Sequence, residues 1–167
     1  SFNLVPPSTA VADVLSSIEA NYSLVYAWDP DALDEHWLKY DPSAEPYAND
    51  LTTLDHTMGF WINMTVDDTL VISGTQPEST DILLSAGWNL VGYPAVDPQA
   101  LPSALENNGV SDYTMVMAHQ RPDSEPWKIY DPSAPAYAND LLEMTPGWGY
   151  WIEASTESTW NITYDLP

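Results

Sequence analysis

The chain carries an internal duplication: Trp37 to Ile62 aligns with Trp127 to Ile152 at a constant offset of 90, with 14 of 26 positions identical. A segment copied this closely carries its pattern of apolar and turn residues twice, so both copies are expected to fold on one plan. The shared string is W-x-x-Y-D-P-S-A-x-x-Y-A-N-D-L, followed by G-[FY]-W-I. Weaker matches extend it outward, pairing Tyr22 to Val25 with Tyr113 to Val116 and Phe2 to Val5 with Trp88 to Val91. The duplication divides the chain into a first repeat unit at 1–74, a linker and leading strand at 75–85, and a second repeat unit at 86–167.

Each unit opens with a short apolar strand ended by proline, Asn3 to Val5 or Asn89 to Tyr93. A helix follows. Val11, Val14, Leu15 and Ile18 fall at i, i+3, i+4 and i+7 behind Ser8 or Thr9 as N-cap. In the second unit Asp97 is the expected cap, Pro98 lies in the first turn, Leu101, Ala104 and Leu105 face inward, and Gly109 ends the helix. Period-two alternation then predicts strands at Tyr22 to Trp28 and Tyr113 to His119, at Phe60 to Met64 and Trp148 to Ile152, and at Thr69 to Ser73 and Thr159 to Tyr164. Trp37 to Tyr40 and Trp127 to Tyr130 read as short strands between them. The fold class is α+β, mainly β: two tandem homologous β-α-β-β-β-β units, each an antiparallel sheet or partial barrel with one short covering helix. Ile82, Leu83 and Leu84 read as a further strand ahead of Gly87-Trp88-Asn89. Nothing equivalent stands ahead of Ser1, which leaves the first unit with an unpaired edge.

Charge narrows the choice of partners. Against 25 acidic residues stand only Lys39, Arg121 and Lys128, a formal net charge of -22. Nucleic-acid binding depends on neutralising phosphates with Lys and Arg, so it is excluded, and an anionic lipid surface is repelled for the same reason. Self-repulsion of this size favours surroundings rich in counterions, such as brine or a calcium-containing exterior. The absence of cysteine removes disulfides, thiolate metal sites and a cysteine nucleophile together. No apolar run approaches the roughly 20 residues that span a bilayer, so no membrane insertion is expected. Sequons at Asn21, Asn63 and Asn161 suit a secreted glycoprotein.

The succession G-W-N-L-V-G-Y-P (Gly87 to Pro94), helix, Y-x-x-V-x-A strand, W-x-x-Y-D-P, Y-x-N-D-L and G-Y-W-I resembles repeat segments of large secreted or cell-surface proteins of bacteria and archaea. The resemblance covers both copies. It implies an extracellular, modular setting rather than a particular chemistry. The first copy departs from the pattern at Ser1 and at Pro6-Pro7.

Several residues qualify as candidate sites. Asp41, Asp50, Asp131 and Asp140 supply hard oxygen atoms suited to calcium, although the D-x-D-x-D-G loop is absent. Their alternative reading is turn chemistry, with Asp before Pro accepting local N–H groups and Asn49-Asp50 or Asn139-Asp140 forming a second turn tolerant of left-handed geometry. Paired carboxylates for hydrolysis would have to be duplicated identically within one small chain, and His36, His56 and His119 show no ligand spacing. No enzymatic activity and no cofactor is therefore expected, apart from the candidate calcium. The chain is rich in Trp and Tyr, which carry an apolar body and a polar tip suited to sugars. Trp37, Trp127, Trp61 and Trp151 keep their places in both copies, which assigns them to two equal cores, and Trp88 and Trp160 read as buried. Trp28 and Trp148, aligned with Ala118 and Met58, are the candidate glycan platforms.

The expected function is a non-enzymatic structural or adhesive module, secreted or at the cell surface, that self-assembles into a filament or surface layer by head-to-tail strand complementation. The chain ends at Tyr164-Asp165-Leu166-Pro167, where the complementing strand would follow. The alternative is a carbohydrate-binding module accessory to a larger secreted enzyme or adhesin. The partners are accordingly other copies of the chain, or glycans.

Overall fold

The computed structural model describes residues 1–120 and 123–164. Arg121 and residues 165–167, with the expected junction to a following strand, lie outside the described residues. The protein is mainly β, built of antiparallel sheets with few and short helices.

Helix α1 (Val11–Val14) continues past Leu15 into a 3-10 turn at Ser16–Ile18. The spaced apolar set Val11, Val14, Leu15 and Ile18 is buried throughout, as the periodicity predicts. The cap differs from expectation. Ala10 holds the N-cap position without a side-chain bond, while Ser8 Oγ accepts the Ala10 N–H and donates to Asp13. Ala10 is bridged to Thr53, and Thr9 O accepts the Leu54 N–H, which holds the stretch extended, so Ser8 reaches the first turn through the Asp13 side chain rather than through a backbone N–H of the helix.

The first sheet has strand β1 (Tyr22–Trp28) at its centre, β2 (Trp37–Tyr40) on one side and β3 (Phe60–Met64) on the other, all antiparallel. Next come β4 (Ser79–Leu84), β5 (Gly87–Gly92), β6 (Gln99–Ala100), helix α2 (Ser103–Glu106), β7 (Tyr113–His119), β8 (Trp127–Tyr130), β9 (Glu143–Met144), β10 (Gly149–Ala154) and β11 (Ser158–Thr163). These form a four-stranded sheet in the order β5-β10-β7-β8, a β4-β11 ribbon and a short β6-β9 ribbon. The orders β2-β1-β3 and β8-β7-β10 correspond strand for strand. Both sheets also shift register at the start of the central strand, between Tyr22 and Leu24 and between Glu153 and Ala154, and each bulge turns a tyrosine, Tyr22 or Tyr113, into the core.

Three expected elements are placed differently. Asn3 to Val5 is no strand and makes a single bridge, Val5 with Thr75. Thr69 to Ser73 is not a strand either, whereas its counterpart β11 pairs along its whole length with β4. A strand is defined by its partner, and among the described residues no strand pairs with 69–73, where Val71 N–H meets the Ser17 hydroxyl instead. Asp97 and Pro98 do not start the second helix. The chain there runs into β6, whose pairing with β9 keeps it extended, and α2 begins only after Pro102. Leu101, Ala104 and Leu105 do face inward, and Gly109, at φ +93, turns the chain away.

Each sheet packs one face on its own core, Val25 and Ala27 in one half, Val116, Ala118, Tyr150 and Ile152 in the other. The backbones of the two halves meet at residues 57–59. Gly59 N–H donates to Leu90 O at 3.2 Å, and Gly92 N–H donates to Thr57 O at 2.8 Å. A Cβ on Gly59 would stand 2.7 Å from Val91 O, so this close approach accounts for glycine there.

Candidate functional site

Strand alternation gives each sheet a second face. In the first, Phe60 and Ile62 point to the core, so Trp61 points away. In the second, Tyr150 and Ile152 are fully buried and Trp151 is turned outward. Trp28 and Trp37, directly paired across β1 and β2, share the outer face, as do His119 and Trp127 across β7 and β8. The two outer faces meet. Trp151 packs edge-on against Trp28 at 5.2 Å and Trp37 at 5.7 Å, while Trp61 packs against His119 at 5.0 Å and Trp127 at 5.8 Å. Register places His119, and not Ala118, in the position of Trp28, so the two contacts join corresponding positions, edge-on in one case and tilted in the other.

The joint is not closed. Between the faces lies an open cavity of about 370 Å³ lined by Trp28, Trp37, Trp61, Trp88, Trp127 and Trp151 with Met117. None of these six tryptophans is buried, and Trp127 is 44% exposed. Trp61 also borders two flanking hollows. One, of about 690 Å³, places Tyr26, Trp37 and Trp61 beside Glu35, Lys39 and Asp50, and the other, of about 640 Å³, holds Asn63, Asp67, His119 and Trp148.

The tryptophan assignments from sequence are thereby reversed. Trp37, Trp61, Trp127 and Trp151 are not core residues but the walls of the cleft, and Trp88 is half-buried beside them; Trp160 alone is fully buried. Trp28 is partly buried in the cleft wall: His36 stacks on it at 4.6 Å, it packs edge-on with Trp37 and Trp151, and its Nε1–H donates to Trp88 O. Trp148 leans on the second core and borders a flanking hollow. Matched places in two copies signalled a shared role, and alternation was the signal that identified it as a shared surface.

The duplicated Y-D-P-S-A loops are held by their own polar groups. Asp41 Oδ1 accepts from Ser43 N–H at 2.9 Å and Ser43 Oγ at 2.7 Å, and Asp131 does the same with Ser133 at 2.8 and 2.7 Å. These bonds hold both carboxyls below the usual range. Asp50 accepts the Lys39 N–H, and Asp140 accepts the Ile129 N–H with Lys128 at 3.7 Å. No group of three or more His, Asp or Glu side chains suited to a metal gathers among the described residues. Asn49 and Asn139 are not left-handed, with φ -104 and -94. Each clamps the loop instead: the Asp41 N–H donates to Asn49 Oδ1 at 2.8 Å while Asn49 Nδ2 donates to Asp41 O at 3.1 Å, and Asn139 repeats both bonds with Asp131. Such a pair imitates strand pairing and needs an extended residue. Among the sequons, Asn63 and Asn161 are exposed and Asn21 is partly so, their amides held by Ser23, Asp81 and Asp68 respectively.

The chain matches no family model, no curated protein and no solved structure.

Proposed function

We propose that the protein is an extracellular structural or adhesive module made of two copies of one β-α-β-β-β-β unit, and that it assembles when another copy donates a β-strand to the first unit. The supporting observation is the unequal cover of the two cores. In the second half the β4-β11 ribbon lies over the core, with Ile82, Leu84, Trp160 and Ile162 buried. In the first half Leu70 and Ile72, the counterparts of Trp160 and Ile162, stay partly exposed, and so does Ile62, whose counterpart Ile152 is fully buried.

Backbone groups follow the same pattern. Asn161 N–H donates to Asn108 O on the helix side of β11, and its counterpart Val71 N–H donates to Ser17 Oγ on the helix side of 69–73. The opposite edge of β11 is filled by β4. At the corresponding edge the amides of Leu70 and Ile72 meet no protein acceptor among the described residues. A strand of the Ser79–Leu84 kind, with apolar residues at alternate positions, suits that edge. The net charge of -22 and the surface placement of the sequons suit an exterior rich in counterions.

The test compares the 167-residue chain with a variant carrying a second copy of the Ser79–Gly87 sequence ahead of Ser1. The parent chain should associate with rising concentration in light scattering, in calcium and salt, and the extended variant should stay monomeric with a raised Tm. A parent that remains monomeric, together with a variant of unchanged Tm, overturns the reading.

A further inference from the structure

We propose that the tryptophan cleft between the two sheets binds a neutral polysaccharide, with pyranose rings stacked on indole faces and hydroxyls taken by the polar rim. Three observations carry this, and none depends on strand donation. First, six tryptophans converge on one open cleft and all stay partly exposed to water. An apolar surface this concentrated marks a place where something binds. Second, the aromatic side chains lining the central cleft are all Trp, each with a polar tip. The Nε1–H groups of Trp37, Trp61, Trp127 and Trp151 meet no protein acceptor among the described residues, which leaves four donors for ligand oxygens.

Third, charge selects the ligand. The floor carries no ionisable side chain, so a charged group entering it would lose water without gaining a partner. Polar groups stand only along the rim, where Glu35, Asp50 and Lys39 flank Tyr26, Trp37 and Trp61, and Asn63 lies beyond. That combination serves hydroxyls, which both donate and accept. A net charge of -22 repels sulfated and uronic glycans. The three hollows adjoin at Trp61, so the ligand is a chain of sugars rather than a single ring.

The 167-residue chain is tested by affinity electrophoresis in gels containing hydroxyethylcellulose, soluble starch, galactomannan or a soluble β-glucan, with chitosan and alginate as charged comparisons. At least one neutral gel should retard the protein, and the same polymer should shift its tryptophan emission. Trp61→Ala and Trp127→Ala should weaken binding roughly ten-fold or more. Because these two also touch the joint between the halves, Asn63→Ala, which removes no aromatic ring and no bond to a cleft tryptophan, should weaken it as well, and so should Glu35→Gln, which keeps an acceptor for the Trp37 N–H, while Tyr47→Ala should not. Absence of retardation in every neutral gel, retardation by chitosan alone, or binding that survives Trp61→Ala and both rim substitutions overturns the proposal.

Discussion

Trp151 meets Trp37 at 5.7 Å with their rings nearly perpendicular, and the corresponding residues Trp61 and Trp127 meet at 5.8 Å with their rings tilted by 53°. Each pair joins one half of the chain to the other, so the halves are locked by two corresponding contacts. An edge-to-face pair such as Trp37–Trp151 contributes about 0.5–1.5 kcal/mol beyond the area it covers. A double-mutant cycle of Trp37→Ala and Trp151→Ala, read by urea unfolding, should give a coupling of about 1 kcal/mol. Trp37→Ala with Trp127→Ala, which removes one ring from each pair, should be closer to additive. Equal coupling in both cycles would contradict a joint made of two separate contacts.

The asparagine clamps set the loops that follow β2 and β8. Removing either amide leaves two backbone groups of the adjacent aspartate without their partner, at about 1–2 kcal/mol. Asn49→Ala and Asn139→Ala should therefore lower stability by similar amounts. Tyr47 and Tyr137, at 89% and 91% exposure, sit between clamp and aspartate with no contact to lose. Thermal unfolding of Tyr47→Ala and Tyr137→Ala should be indistinguishable from that of the parent.

Much of this was legible in the sequence. The strand positions at Tyr22, Trp37, Phe60 and Tyr113 follow from alternation, and the buried stripe of α1 from its spacing. Two kinds of error are instructive. Local signals for Thr69 to Ser73 and for Asp97-Pro98 were sound, but strand and helix there are decided by what lies alongside, which no local pattern contains. The tryptophans were misassigned for another reason: identity between copies shows that a position matters and is silent on which side of the sheet it faces. Trp61 stands between Phe60 and Ile62, and those two neighbours already fix its direction.

Stability should fall at both ends of the pH scale for separate causes. Asp41 and Asp131 have folded pKa values lowered by the Ser43 and Ser133 bonds. Their contribution is present above the unfolded value near 4 and is lost as pH falls through the folded one. Tyr93 and Tyr113 have values raised above 10, first by burial. Their contribution is complete below about pH 10 and is lost as pH rises beyond it. Tyrosinate absorbance should lag behind free tyrosine and then rise together with loss of near-UV circular dichroism. Tyr113→Phe, which removes a buried hydroxyl lacking a partner, should unfold at higher pH.

The covered and uncovered cores can be compared position by position. Ile152 is fully buried under the β4-β11 ribbon, while Ile62 at the matching place is only partly so. Truncating a buried isoleucine to alanine costs about 2–5 kcal/mol, and the cost shrinks where water already reaches the side chain. Ile152→Ala should accordingly destabilise more than Ile62→Ala in urea unfolding of the 167-residue chain. The same logic orders Trp160→Ala above Leu70→Ala, since Trp160 stacks on Tyr93 at 5.8 Å and donates Nε1–H to Ala104 O at 2.9 Å. When a Ser79–Gly87 copy is placed ahead of Ser1, the cost of Ile62→Ala should rise toward that of Ile152→Ala, because the added strand excludes water from the first core. An Ile62→Ala cost that is the same with and without the added strand would mean that the strand does not seat on 69–73.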